Sequence, residues 1–198
     1  MKAHSKFIPQ LLAVALMTAG AFVVSSCSDP EISGGAAALG KETSGIPKGE
    51  FHRAGQPCVV CHQDQGPAAD KPFTVAGTIF SGPVRMVGVN NVEVRMTDSE
   101  GTKFTAKTNC VGNFFVKPSD WQPHFPILVA IGKDQIVRQM QGPIGRDGSC
   151  AHCHANASTP DDPFSQTGHI YLYGGDEPGS PNGSVDCVAN PIAANSPN

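Results

Sequence analysis

Charge is scarce in this chain. Fourteen Lys and Arg face 17 Asp and Glu in 198 residues, a formal net charge of -3. Without a basic field nothing would draw a phosphate backbone, so nucleic acid is excluded as a partner class. Aromatic residues make up 7%, with one Trp and two Tyr, and charged residues only 16%. The apolar run from Leu11 to Val24 is too short for a membrane-spanning helix. There is no nucleophile elbow, no Gly-rich phosphate loop and no H-E-x-x-H, which removes the usual signatures of hydrolases, nucleotide enzymes and zinc proteases. What abounds is Gly (22) and Pro (17), the composition of short strands and turns rather than long helices.

The N-terminus reads as an export signal over residues 1–26. Lys2 and Lys6 give a positive start, an apolar segment follows, and small residues close it at Val24-Ser25-Ser26-Cys27. That ending resembles the lipobox of bacterial lipoproteins. The resemblance implies that Cys27 is acylated, becomes the mature N-terminus and tethers the protein to a membrane, with Ser28 consistent with the outer membrane. The alternative is an ordinary signal with a nearby Cys. Loss of Lys2 and Lys6 would leave 12 basic against 17 acidic residues, a mature charge of -5. Residues 27–49 are rich in Gly, Ala and Ser, which predicts a flexible tether.

The seven cysteines fall into a pattern. Cys58-Val59-Val60-Cys61-His62 and Cys150-Ala151-His152-Cys153-His154 are both C-x-x-C-H. This is the attachment signature of c-type haem. Thiols three residues apart can each add to one vinyl group of a porphyrin, and the adjacent His then lies under the iron as an axial ligand. The expectation is two covalent haems c, held by Cys58, Cys61, Cys150 and Cys153, with iron bound by His62 and His154. A four-thiolate zinc site is a rival reading, but it leaves both trailing histidines unexplained. A thioredoxin-like pair needs a βαβ setting that the sequence lacks. Cys110 and Cys187 remain, either as a disulfide in an oxidising compartment or as two unpaired thiols.

Between the motifs the texture changes. Residues 73–80 are β-rich; Val92, Val94 and Met96 alternate with polar neighbours; residues 98–101 read as a hairpin turn and 102–107 as the return strand. Shorter strands are predicted at 113–116, 127–131 and 136–140. The positions Val75-x-Gly77, Gly88-Val89-x-x-Val92-x-Val94, Asp98-x-x-Gly101 and Thr108-x-x-x-Gly112-x-Phe114 resemble the carboxypeptidase regulatory-like, transthyretin-like domain over residues 73–136. The resemblance implies a seven-stranded Greek-key sandwich without catalysis of its own. Cys110 departs from that pattern. The expected fold class is therefore mainly β, a small Greek-key β-sandwich flanked by two loop-rich haem-binding segments. The divisions are 1–26 signal, 27–49 tether, 50–72 first haem segment, 73–141 sandwich, 142–175 second haem segment and 176–198 tail. The whole resembles secreted bacterial cytochromes in which C-x-x-C-H segments decorate a sandwich.

Each iron has a sixth position. A second His lowers the potential, Met raises it, and an open position admits ligands. His169, at a strand edge after the second motif, is the first distal candidate; His52, six residues before Cys58, is another. His124, between two prolines, and Met140, at a strand end, are further candidates. His152 faces away from its own iron and could serve only a neighbouring one. Met86 is a weaker sulfur candidate, and Met96 reads as core. Trp121, Tyr171 and Tyr173 read as haem-edge or core aromatics. These residues imply an exported, lipid-anchored electron carrier on the outer membrane or periplasmic face, with redox proteins as partners and with the option of assembly into longer haem chains. The rivals are a peroxidase-type haem enzyme with one open iron, and a structural or adhesion module bearing haem.

Overall fold

A computed structural model of the chain describes residues 29–41, 49–83, 87–155 and 168–173. The export segment, Cys27, Met86 and Cys187 lie outside these. The fold is mainly β, with seven strands in two sheets and three short helices among the described residues. In chain order these are α1 (Pro30–Ala38), α2 (Cys58–Cys61), β1 (Val75–Phe80), β2 (Glu93–Thr97), β3 (Lys103–Lys107), β4 (Asn113–Val116), β5 (Leu128–Lys133), β6 (Ile136–Gln139), α3 (Cys150–Cys153) and β7 (Ile170–Tyr171). No helix among the described residues is long and apolar enough to cross a membrane.

One sheet runs β3-β2-β5-β6, antiparallel throughout. Alternation on β2 sends Val94 and Met96 inward and Arg95 outward, as the period-2 pattern requires. The second sheet runs β4-β1-β7, with β4 antiparallel and β7 parallel to β1. One apolar cluster joins both sheets, with Val75, Ile79, Phe114 and Val116 from one and Val94, Met96, Ala106 and Ile131 from the other. Met96 is a core residue, and Trp121 stacks on Phe104 at 5.5 Å inside the same cluster. Before β4 the chain turns sharply at Gly112 (φ +81°), where a Cβ would stand 2.2 Å from the Ile79 carbonyl oxygen, so glycine is required.

All six residues of β1 are buried, which sets it apart from the alternating strands. Val75 and Ile79 face the core. The opposite face, with Thr78 and Phe80, lies under the segment that precedes Cys58. The edge away from β4 is taken by two short parallel pairings, Ala76 with Ser149 and residues 79–80 with 170–171. The second C-x-x-C-H leaves the sheet between them.

One departure from the sequence expectation stands out. Residues 30–38 of the expected tether form a helix. Its N-cap Asp29 accepts from the Glu31 N–H at 2.9 Å and Pro30 opens its first turn. At its other end the Arg53 guanidinium donates to the Gly40 carbonyl at 2.8 Å and reaches that of Leu39 at 3.5 Å. These contacts satisfy carbonyls that a helix C-terminus leaves open. Cys110 is disulfide-bonded, as one of the two sequence readings had it, whereas Cys58, Cys61, Cys150 and Cys153 are in no disulfide. Its partner is therefore Cys27 or Cys187, both outside the described residues.

Candidate haem-attachment site

The two C-x-x-C-H motifs adopt the same local form. Each spans one helical turn, and the His that follows caps it by donating its N–H to the first Cys carbonyl, at 3.0 Å for His62 and 2.8 Å for His154. One turn puts residues i and i+3 on the same side, so both sulfurs of a motif share a face. The His backbones match as well, with φ/ψ of -96°/52° at His62 and -104°/64° at His154.

The imidazoles are oriented alike. His62 Nδ1 lies 2.7 Å from the Lys71 carbonyl oxygen, and His154 Nδ1 lies 3.0 Å from that of Gly168. A carbonyl only accepts, so each Nδ1 carries the proton and each Nε2 presents its lone pair. This is the second-shell arrangement that fixes a metal-binding histidine. His62 is 8% exposed and stacks on Phe73 at 4.1 Å, which in turn stacks on Phe115 of β4 at 4.7 Å.

Both motifs meet at β1. Cys150 packs onto Gly77 so closely that a Cβ there would lie 2.8 Å from the Cys150 Cβ and 3.1 Å from its Sγ. Burial pushes the Cys58 thiol up to about 11 and the Cys150 thiol up to about 12, and charge on the nearby Cys58 adds to the effect at Cys150. Cys153 is exposed and Cys61 half-buried. Among the described residues, no three His, Cys, Asp or Glu side chains converge in a way that could hold a metal ion. The four thiols are described, so they do not form the tetrahedral cluster that the zinc reading requires.

The stretch before the first motif is pinned from below by buried polar side chains that sequence reasoning did not single out. Asn113 Nδ2 donates to the His52 carbonyl at 3.0 Å and to that of Glu50 at 3.3 Å. Asn109 Nδ2 donates to the Glu50 carbonyl at 2.7 Å. Thr78 Oγ1 accepts from the Gly55 N–H at 2.8 Å and donates to Asn113 Oδ1 at 2.7 Å. Every one of these amides and hydroxyls is thereby used, as burial demands. The only hint in the sequence is that Thr78 and Asn113 are polar residues within segments read as strands.

The network holds His52 opposite His62, with ring centroids 6.0 Å apart and planes inclined by 39°. That distance is too long for stacking. It is the separation two imidazoles would have across a shared metal, given metal–nitrogen bonds of about 2 Å and about 1 Å from each nitrogen to its ring centre, and in this structure the His52 Nδ1 accepts from the Gly49 N–H at 3.4 Å.

His169 lies elsewhere. Its ring contacts the His154 carbonyl, meets Phe80 edge-on at 5.0 Å, and would touch a Cβ at Gly55 at 3.4 Å. Burial lowers its pKa; the His154 carbonyl opposes that shift and the His154 charge adds to it. The residue before it, Gly168, supplies the carbonyl that holds His154 Nδ1. His124 is exposed and pairs with Glu100 at 3.3 Å beside the β2–β3 turn. His152 pairs with Asp147 at the surface. The half-buried Met140 directly follows β6, its N–H bonded to the Val129 carbonyl. Tyr173 is buried in the core cluster, and Tyr171 lies beside His169 at 6.5 Å.

No known protein family, curated protein or solved structure matches the chain.

Proposed function

We propose that the protein is a di-haem c-type cytochrome, lipid-anchored outside the cytoplasm, that carries electrons between redox proteins. The observation that carries this reading is the duplicated geometry. Two C-x-x-C-H turns dock on one strand, and each His donates its Nδ1 proton to a backbone carbonyl. A haem thioether-linked at each pair would supply a reversible one-electron iron couple. The chain's own residues do the rest. Cys58 and Cys61 hold one porphyrin, Cys150 and Cys153 the other, and His62 and His154 are the proximal ligands.

His52 is the sixth ligand of the first iron in this reading, supported by its 6.0 Å separation from His62. His169 remains the candidate for the second iron, its ring lying close to His154 and edge-on to Phe80 at 5.0 Å. His124 and Met140 carry no comparable observation. The two sheets around one core support the small sandwich with carboxypeptidase regulatory-like resemblance, whose role is to present both haem segments on β1. Cys187 is assigned as the partner of Cys110, since Cys27 is taken by lipid.

A peroxidase-type activity would need one five-coordinate iron. Optical and EPR spectra of the matured protein test the choice. Two low-spin ferric signals that reduce and reoxidise reversibly are expected. A high-spin ferric signal that reacts with peroxide would move the assignment to an enzyme. Haems that do not cycle with redox mediators would favour a structural role.

A further inference from the structure

The helix α1 connects the anchoring cysteine to the first haem segment, and its docking leaves little slack. We infer that α1 is a rigid spacer that holds the first haem segment close to the bilayer, so that its electron partner lies in or on the same membrane. This rests on the lipidated, haem-bearing reading above.

Three observations carry it. Helix α1 begins at Pro30, three residues after Cys27. Midway along it Gly35 faces the first motif, where a Cβ would meet Val60 Cγ1 at 3.5 Å. At its C-terminal end Arg53, one residue beyond His52, bonds the Gly40 carbonyl. Three extended residues span at most about 11 Å. Five helical residues from Pro30 to Gly35 add about 7.5 Å. The Val60 contact therefore lies within roughly 20 Å of the acylated residue by chain reach alone. An unstructured link from Cys27 to Glu50 would instead average roughly 26 Å and stretch to about 80 Å.

The helix has no buried residue and carries two glycines in its middle, so it is intrinsically weak. It needs the Asp29 cap and the Arg53 contact to persist. That pairing of a weak helix with a side-chain clamp from the haem segment ties the anchor to the cofactor rather than to the distant edge of the β-sheets.

The test uses the matured, lipidated protein in phosphatidylcholine vesicles that carry a fluorophore on a fraction of the headgroups. Haem absorbs the emission, and the quenching falls steeply with distance. The comparison is with a variant carrying about 12 Gly and Ser residues inserted between Ser28 and Asp29, enough to add slack of about 20 Å. The wild type is expected to quench strongly and the insertion variant to lose most of that quenching, with haem absorbance and vesicle flotation unchanged. Equal quenching in both would overturn the spacer. Absent flotation would overturn the lipid reading, and absent haem absorbance the cytochrome reading, and either would remove this inference with it. Absorbance, flotation and quenching are read separately, so the three failures are told apart.

Discussion

At the scale of single residues, His52 and Asp98 show how backbone partners set side-chain chemistry. The His52 backbone carbonyl accepts from Asn113 Nδ2, and the His52 ring lies 6.0 Å from that of His62. Replacing His52 with Ala is expected to turn one of the two low-spin ferric signals high-spin and leave the other unchanged; two unaltered low-spin signals would remove His52 from the ligand set. Asp98 organises the β2–β3 turn. Burial pushes its carboxyl up, but hydrogen bonds from the N–H groups of His124, Thr102 and Glu100 outweigh that and hold it below the ordinary range. The folded value is depressed, so the stabilisation is complete above the unfolded value of about 3.9 and fades as pH falls through the folded one. Asp98→Ala should thus lower the thermal midpoint at pH 7, and the gap to wild type should narrow in scans taken at progressively lower pH, below the ordinary carboxylate range.

Among the elements, β1 and α1 depend most on contacts far away in sequence. On β1, Gly77 gives room to Cys150. In Gly77→Ala the new methyl would press on the Cys150 Cβ at 2.8 Å and on Phe114 at 3.0 Å. The expected loss is about 1–3 kcal/mol, read as a lower melting temperature of the haem-loaded protein. Gly35→Ala in α1 is the control, since its methyl meets Val60 at an ordinary 3.5 Å. That change should be neutral or stabilising, by up to about 1 kcal/mol. Arg53→Ala removes the bond to Gly40, and hydrogen exchange over residues 30–38 should quicken while β1 and β2 keep their protection.

The strands were legible because their signal is local. Alternation of Val92, Val94 and Met96 marked β2, which forms over Glu93–Thr97, and residues 98–101 marked the turn to β3. Both C-x-x-C-H segments were expected as loop, and each forms a single helical turn within it. What could not be read was whatever is stabilised at long range. Helix α1 has no apolar stripe, and its clamp, Arg53, lies 14 residues beyond Leu39. The parallel pairings of Ser149 and β7 with β1 follow from how the edge is filled, and no periodicity encodes that. The second-shell carbonyls of Lys71 and Gly168 are backbone atoms, which any residue type supplies. Their identity leaves no trace in the sequence.

For the whole molecule, the organisation is that of a β scaffold with one strand enclosed on every side. Core residues cover one face of β1, the segment leading to Cys58 covers the other, and the second motif closes its edge. Cys58 is close enough to Cys150 to raise its pKa. Two porphyrins attached there would start from neighbouring points of one rigid element, which suits passage of an electron from one to the other without a conformational step. The account stands or falls on covalent haem. The most direct measurement is the intact mass of protein exported from a haem-maturing host, taken with a pyridine haemochrome assay on the same sample. A mass raised by two haems with a c-type haemochrome spectrum is expected, dropping to one haem in a variant with Ser at positions 58 and 61. A colourless protein whose mass is that of polypeptide and lipid alone would contradict it.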